Sequence, residues 1–113
     1  MAIFYKNQGY DLTTTNLTTV LTINTSSVAI IKEIAVTNDD NTAHTVDYFF
    51  YDYSTSTSYK FFHTNVPADS HENAVHNALI LEEGDYLQFQ ADSADKISGQ
   101  ISYALLTRSG ENG

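Results

Sequence analysis

Hydrophobic and polar positions alternate with a period of two along most of this chain, which is the spacing of β-strands. In "NLTTVLTIN", Leu17, Leu21 and Ile23 share one parity, and in "IKEIAVTN", Ile34 and Val36 do the same. Thr, Val, Ile, Tyr and Phe dominate these segments, and no long window has apolar residues at helical spacing. The pattern therefore predicts an all-β chain.

Five further segments continue the pattern: "HTVDYFFYDY", "TSYKFFHT", "SHENAVHNALI", "DYLQFQA" and "KISGQISYALLT". The loops between them, such as "NDDNTA", "VPADS", "LEEG" and "DSAD", are rich in residues that favour turns. Seven or eight strands at such short spacing are typical of an antiparallel β-sandwich or jelly roll. We predict a single domain over residues 1–113, with 1–10 as a candidate N-terminal arm and 108–113 as a flexible tail.

The segment "DYFFYDY" departs from this alternation because aromatic rings occupy both parities. We expect Tyr48 and Phe50 to face the core, and Phe49, Tyr51 and Tyr53 to face outward. Rings left in water would form a larger apolar patch than most monomers expose. Two explanations stay open: a second subunit covers these rings, or a neighbouring sheet, a loop or the N-terminal segment "AIFYK" covers them.

Composition and charge narrow the classes of partner. Five Lys and Arg against fourteen Asp and Glu give a formal net charge of -9 and a pI near 4.5. Such a chain repels phosphates, so we expect no nucleic-acid partner. The absence of cysteine excludes disulfides and favours a cytosolic place of assembly. The sequence shows neither a signal peptide nor an apolar run of membrane-spanning length, so we expect no membrane partner.

Candidate catalytic groups are sparse. Glu82, Glu83 and Asp85 lie in "LEEGDYLQFQ", where Gly84 and the acidic residues suit a hairpin corner. Paired catalytic carboxylates need a cleft with separated pKa values, which a solvated corner does not provide. The chain offers no Cys nucleophile, no Ser that can be placed beside a His and an Asp, and no Gly-rich phosphate loop. We predict that the protein is not an enzyme and carries no cofactor.

Candidate metal ligands occur in two loops and in two of the histidines. The Asp-rich loops "NDDN" at 38–41 and "DSAD" at 92–95 hold the oxygen ligands that Ca²⁺ prefers, although most such clusters are solvated turns. His71 and His76 are five positions apart, so on a continuous strand they would face opposite sides. The sequence therefore predicts no metal site.

Four stretches in order along the chain resemble the small β-sandwich virion proteins of tailed bacteriophages, of the marine and cyanophage type. They are "DLTTTNLTTVLTI", "AIIKEIAVTNDDNTAHTVDYFF", "NVPADSHENAV" and "LILEEGDYLQFQADSADKISGQISYALL", and the resemblance runs from Tyr5 to Leu106. The "TN" strand end, the "VPA" corner, the Gly-Asp hairpin and the "SYAL" closing strand match structural positions of that family.

The resemblance implies a structural role in a virion, assembled in the host cytoplasm. The expected function is that of a capsid decoration or cement protein that stabilises the head by bridging capsomers, and the alternative is a tail or fibre accessory protein. The expected partners are the major capsid protein or another virion protein, and further copies of the chain in a homotrimer. For subunit contacts we predict two sets: Phe49, Tyr51, Tyr53 and Phe61, and the N-terminal residues Ile3, Phe4 and Tyr5.

A third hypothesis belongs to another class of protein. Carbohydrate-binding sandwiches stack sugars on exposed aromatic rings, with polar side chains beside them. Tyr51, Tyr53 and Tyr59 with Asp52 would supply such a platform if they shared one surface. The absence of Trp weakens this hypothesis relative to the virion role.

Overall fold

The computed structural model describes residues 2–75 and 77–107, and these residues form nine β-strands and no helix. In chain order the strands are β1 (Ala2–Leu12), β2 (Thr18–Thr22), β3 (Ser27–Asn38), β4 (His44–Asp52), β5 (Thr57–Val66), β6 (Ser70–Asn73), β7 (Leu79–Leu81), β8 (Tyr86–Ala91) and β9 (Ile97–Thr107). Within the described part of the chain there is accordingly no helix able to span a bilayer.

The strands form two antiparallel sheets that pack face to face. One has the order β1-β9-β3-β6, with the short β7 also paired to β3, and the other has the order β2-β8-β4-β5. The edge strands β1 and β2 contact each other on one side of the molecule, and β5 and β6 do so on the other. The predicted all-β antiparallel sandwich is confirmed.

Aromatic side chains connect the two sheets through the core. Tyr10 of β1 meets Phe89 of β8 edge to face at 5.2 Å between ring centroids, and Tyr48 of β4 meets the same ring at 4.9 Å. The Tyr10 hydroxyl donates to the Ala35 carbonyl at 2.8 Å, so its ring must pass over β9. Gly99 makes this possible, because a Cβ there would lie 2.6 Å from the Tyr10 hydroxyl. Burial raises the pKa of Tyr10, and raises that of Tyr48 to about 12.

The structure corrects the predicted number of strands, seven or eight, to nine. The segment "SHENAVHNALI" forms two short strands rather than one, because it pairs with β3 at two separate registers, 35–38 for β6 and 29–31 for β7. The N-terminal segment is the other added strand: from Ala2 onward it is β1, paired residue by residue with β9 rather than extended as an arm. The predicted tail at 108–113 lies outside the described residues.

A β-bulge in β5 changes the direction of one predicted contact residue. The β4–β5 register moves from Tyr48↔Phe62 to Phe49↔Lys60, which leaves Phe61 as the extra residue. Both Phe61 and Phe62 consequently contact the buried Tyr48 ring, at centroid distances of 6.2 and 5.7 Å. Phe61 therefore packs against the core, on the opposite side of the sheet from Phe49.

Candidate interaction surfaces

The outward-facing rings of β4 are covered largely by side chains of the same chain. Tyr51 stacks on Tyr86 of the neighbouring β8 at 4.5 Å with the ring planes 9° apart. The Lys60 ammonium group of β5 lies 5.6 Å from the centre of the Phe49 ring. Cross-strand contacts of this kind reduce the exposed apolar area of each ring, and both Phe49 and Tyr51 are half-buried. Contacts within the fold thus account for much of the cover of the second aromatic set, and the role of these residues as subunit contacts stays a prediction.

Tyr53 follows the end of β4 and is 57% exposed. Its ring rests on Gly84, where a Cβ would lie 2.6 Å from the ring, and Gly84 has a positive φ of 85°. The Tyr53 backbone N–H donates to the Asp85 carboxylate at 2.9 Å. The hairpin corner predicted at this point is therefore also the support on which Tyr53 lies.

The predicted sugar platform does not form as one surface. Tyr59 pairs with Phe50 and stacks on it at 5.4 Å, whereas Tyr51 pairs with Ser58. Because neighbouring residues of a strand point to opposite faces, Tyr51 and Tyr59 lie on opposite sides of the sheet. Of the three tyrosines, Tyr53 lines a cleft together with Glu82, Glu83 and Asp85.

A cleft of about 660 Å³ lies at this end of the sandwich, lined by Tyr53, Ser54 and acidic residues of the β7–β8 turn. Carboxylate oxygens of Asp52, Glu82 and Asp85 lie within 4.8 Å of one another. Within the described part of the chain, these three residues are the group that could hold a cation. Asp85, however, is buried and accepts backbone N–H groups on both oxygens, from Tyr53 and from Glu82 at 2.8 Å. These contacts identify Asp85 as a turn-forming carboxylate.

The two loops considered for calcium meet at the opposite end, where a histidine joins them. His44 Nε2 lies 2.7 Å from the Asp40 carboxylate and His44 Nδ1 lies 2.8 Å from that of Asp92. The hydrogen bond to Asp40 raises the pKa of His44, and the same bond lowers the pKa of Asp40. Asp92 also accepts the Thr45 backbone N–H at 3.1 Å. The carboxylates of Asp40 and Asp92 are therefore engaged in holding the two loops together.

Of the remaining histidines, the structure describes His63 and His71, and neither joins two loops in this way. His71 lies in β6, opposite Thr37 of β3, and is exposed. His76 lies outside the described residues, so the predicted orientation of the His71 and His76 pair is not tested. His63 is hydrogen-bonded to Asp47 across β4 and β5, and this bond lowers the pKa of Asp47.

The largest exposed apolar side chains that share one face lie on the outer side of the five-stranded sheet. The registers place two rows there, Ile3–Leu106–Val28 and Tyr5–Ala104–Ile30–Ile80. In these rows Tyr5 is 84% exposed, Ile3 is 56% and Ile80 is 52%. We call the surface formed by Ile3, Tyr5, Val28, Ile30, Ile80 and Leu106 the sheet patch. Composition alone did not reveal it, because its rows come from four strands that are distant in sequence.

The predicted N-terminal contact residues divide between the two faces of β1. Ile3 and Tyr5 belong to the sheet patch, whereas Phe4 points to the other side, where it pairs with Leu105. Phe4 is 38% exposed even there, because this half of β1 extends beyond the core. All three residues are thus accessible in the isolated chain.

Charge is distributed unevenly over the molecule. The three longest strands, β1, β3 and β9, together carry Lys6 and Lys32 against Asp11 and Glu33, and so have no net charge. The excess of carboxylates that gives the net charge of -9 lies in the loops and the remaining strands. Five of the six residues of the sheet patch lie on these three strands, so the patch is a surface without net charge on an acidic molecule.

Comparison with known proteins shows the fold. No family model matches the sequence, and no curated protein matches it significantly. Among solved structures, a chain of the disulfide-linked pili of Bacillus endospore appendages is 14% identical, with a TM-score of 0.56 over 95% of this chain and 89% of that chain. A chain of the capsid of the Helicobacter pylori bacteriophage KHP30 is 8% identical, with a TM-score of 0.57 over 96% and 90%.

A third similar structure is a chain of infectious bursal disease virus, strain Gx. It is 8% identical, with a TM-score of 0.51, and the match covers 99% of this chain but 33% of that longer chain. At these identities the likeness extends to the fold alone, so the chain is similar to β-sandwich proteins found in capsids and pili.

Proposed function

We propose that this protein is a non-enzymatic structural component of a phage virion, specifically a capsid decoration or cement protein that bridges capsomers as a homotrimer. The observation that carries the proposal is the sheet patch, an uncharged apolar surface on a chain of net charge -9. The family resemblance of the sequence and the fold likeness to a KHP30 capsid chain support the same role.

The proposed mechanism is additive clamping. The three large exposed side chains of the sheet patch offer an apolar area of a few hundred Å², which is typical of an interaction site on a small protein. A contact of this size is weak for one copy. Repetition of the contact over a symmetric shell makes it strong by avidity, because each bound copy holds its neighbours at high effective concentration.

Co-sedimentation tests the proposal directly. The purified chain is mixed with empty shells assembled from the major capsid protein of the phage that encodes it, and the shells are pelleted. We expect saturable binding with a fixed stoichiometry and a higher melting temperature of the decorated shell. Ile80→Asp, which places a charge in the sheet patch, should abolish binding, whereas Leu17→Asp, at an aliphatic residue 41% exposed outside the patch, should not. Failure of the folded wild-type chain to bind the shells would refute the capsid role.

A tail or fibre accessory protein is the second candidate. The fold likeness to a chain from the pili of Bacillus endospore appendages favours it, since a pilus is an extended surface fibre. Purified tails of the same phage serve as the second probe in the same assay. Binding to tails and not to shells, with the same sensitivity to Ile80→Asp, would support this candidate over the first.

A further inference from the structure

The free edge of β1 is unusually open to strand pairing. β1 has eleven residues and pairs with β9 in one continuous register without a bulge. No described strand pairs with its other edge. Long edge strands are normally blunted by proline, by a bulge or by several charges. Between Ala2 and Gly9 this edge carries one charge, Lys6, and no proline.

The first part of β1 is also exposed to water on both of its faces. From Ile3 to Gly9 every residue of β1 is exposed, including residues that point toward the inner side of the sheet. Burial begins at Tyr10 and Leu12, where the strand passes over the core. The first two thirds of β1 thus present unpaired backbone groups to water together with apolar side chains on both faces. Unpaired backbone N–H and C=O groups along a strand are complementary to another strand.

We propose that two copies of this chain associate by antiparallel pairing of their β1 strands around a two-fold axis. The occupant of the free edge is a second copy, because β1 carries no net charge and can pair with itself without placing like charges opposite each other. Lys6 and Asp11 cancel, so the paired strips are neutral on molecules that otherwise repel each other. This inference does not rest on the proposed function, since it concerns the purified chain alone.

The sequence selects one register. In a two-fold pair, the outer faces of the two five-stranded sheets lie on the same side only if odd-numbered residues pair with odd-numbered ones and even with even. The register with Asn7 opposite Asn7 of the second copy engages the strand from Ala2 to Leu12. It sets Tyr5 across from Gly9, where an aromatic ring covers the exposed glycine. It also sets Lys6 across from Gln8.

Neighbouring registers are less favourable. A register centred on Lys6 opposes two ammonium groups, which destabilises a cross-strand pair. A register centred on Tyr5 leaves Gly9 and everything after it unpaired. The Asn7 register is therefore the longest one without opposed like charges.

The contact is small, which sets its expected strength. An eleven-residue strand spans about 36 Å, and one sheet edge is about 10 Å thick, so the paired edge covers on the order of 350 Å² per copy. Stable interfaces bury about 800 Å² per partner. Pairing through β1 is therefore weak between free molecules and becomes strong when other contacts hold the copies side by side.

Disulfide trapping tests the register, because the chain contains no cysteine of its own. Directly opposed residues of antiparallel strands have Cα atoms about 4.5–5.5 Å apart, within the range of a disulfide. Under mild oxidation, Asn7→Cys should form a covalent dimer. The matched control is Gln8→Cys, also exposed on β1, whose partner copy lies beyond disulfide reach in this register. We expect at least about tenfold more dimer from the first variant, since pairing raises the effective concentration of its thiols.

Two further variants distinguish disulfides formed through β1 pairing from disulfides formed by random collision. Tyr5→Lys adds a charge to the edge and should reduce the dimer yield of Asn7→Cys, whereas Ile80→Asp lies away from β1 and should leave it unchanged. Equal yields from Asn7→Cys and Gln8→Cys, with both proteins folded by circular dichroism, would overturn the proposal. Since no shells are present, that failure is distinguishable from failure of the capsid role.

Discussion

Asp85 and Asp92 flank β8 at its two ends, and each carboxylate accepts a backbone N–H from the facing end of β4, that of Tyr53 at one end and that of Thr45 at the other. The rest of their surroundings differs. Asp85 is 3% exposed and its second oxygen accepts another backbone N–H, that of Glu82. Asp92 is exposed, and its other partners are side chains: the Thr45 hydroxyl and His44, whose imidazole can change its charge.

The difference shows two ways of holding loops at the ends of a sandwich. Backbone N–H groups do not change charge near neutral pH, so the Asp85 end has a permanent set of donors. The His44 end depends on a proton, because only protonated imidazole donates from both nitrogens to Asp40 and Asp92. We therefore expect the Asp85 end to dominate stability and the His44 end to control its dependence on pH.

The largest effect is expected for Asp85→Ala. This change leaves two part-buried backbone N–H groups without their charged acceptor, which costs about 3 kcal/mol of unfolding free energy. Urea denaturation measures the loss. The matched control is Asp92→Ala at the more exposed end of β8, for which we expect about 1 kcal/mol. Equal losses at the two positions would contradict the comparison.

Gly84→Ala should rank second. The positive φ of 85° is strained for alanine, and the new Cβ would lie 2.6 Å from the Tyr53 ring. We expect a loss of about 2 kcal/mol in urea denaturation. Combining the change with Tyr53→Ala removes the clash but not the strain, so the double variant should lose less than the two single losses added together. Additive losses would mean that the ring and the turn do not meet in solution.

The stability of the protein should depend on pH through His44. The pKa of His44 is raised above 6.5 in the folded state, so the folded state binds this proton more tightly than the unfolded chain does. The stability it contributes is full below about pH 6.5 and is lost as pH rises through the raised pKa. At the acid side, the lowered pKa of Asp40 means that its contribution is present above 3.8 and is lost as pH falls through the lowered value.

His44→Gln measures this contribution by difference. Urea denaturation of both proteins at about pH 5.5 and about pH 8.5 should show a loss for the variant at the lower pH that largely disappears at the higher one. The hydrogen bond between His63 and Asp47 is present in both proteins, so its contribution cancels. A variant that loses the same amount at both pH values would show that His44 acts by packing rather than by its charge.

The fold class could be predicted from the sequence. Of the two structures at the ends of β8, the Asp85 turn could be predicted and the His44 bridge could not. Alternation and turn residues predict the sandwich, and "LEEGD" predicts a turn with Gly84 and Asp85 because turn chemistry is local. The bridge from His44 to Asp92 joins positions 48 residues apart, which no local pattern reports. Each of the two loops, read alone, resembled a calcium loop for the same reason.

Surfaces were harder to predict than elements. The parity of β4 correctly assigned Tyr48 to the core, but the bulge in β5 moved Phe61 to the inner side, and alternation cannot report an extra residue. The N-terminal segment, predicted as a candidate arm, has apolar residues on both parities. In the structure both faces of this segment lie beyond the core, so a strand tolerates them there. The sheet patch likewise follows from the registers between strands, which depend on the whole fold.

The smallest effect is expected at the left-handed turn position of the His44 end. Like Gly84 at the opposite end of β8, Asp95 has a positive φ, here 64°. The Asp95 backbone N–H donates to the Leu12 carbonyl at 3.0 Å. Glycine relieves the strain at such a position but also loses more chain entropy on folding, so Asp95→Gly should change the unfolding free energy by less than about 0.5 kcal/mol. Asp95→Val should cost more than about 1 kcal/mol, because a β-branched residue resists positive φ. If valine were tolerated as well as glycine in urea denaturation, the loop would not hold this conformation in solution, and the His44 end would depend on its ion pairs alone.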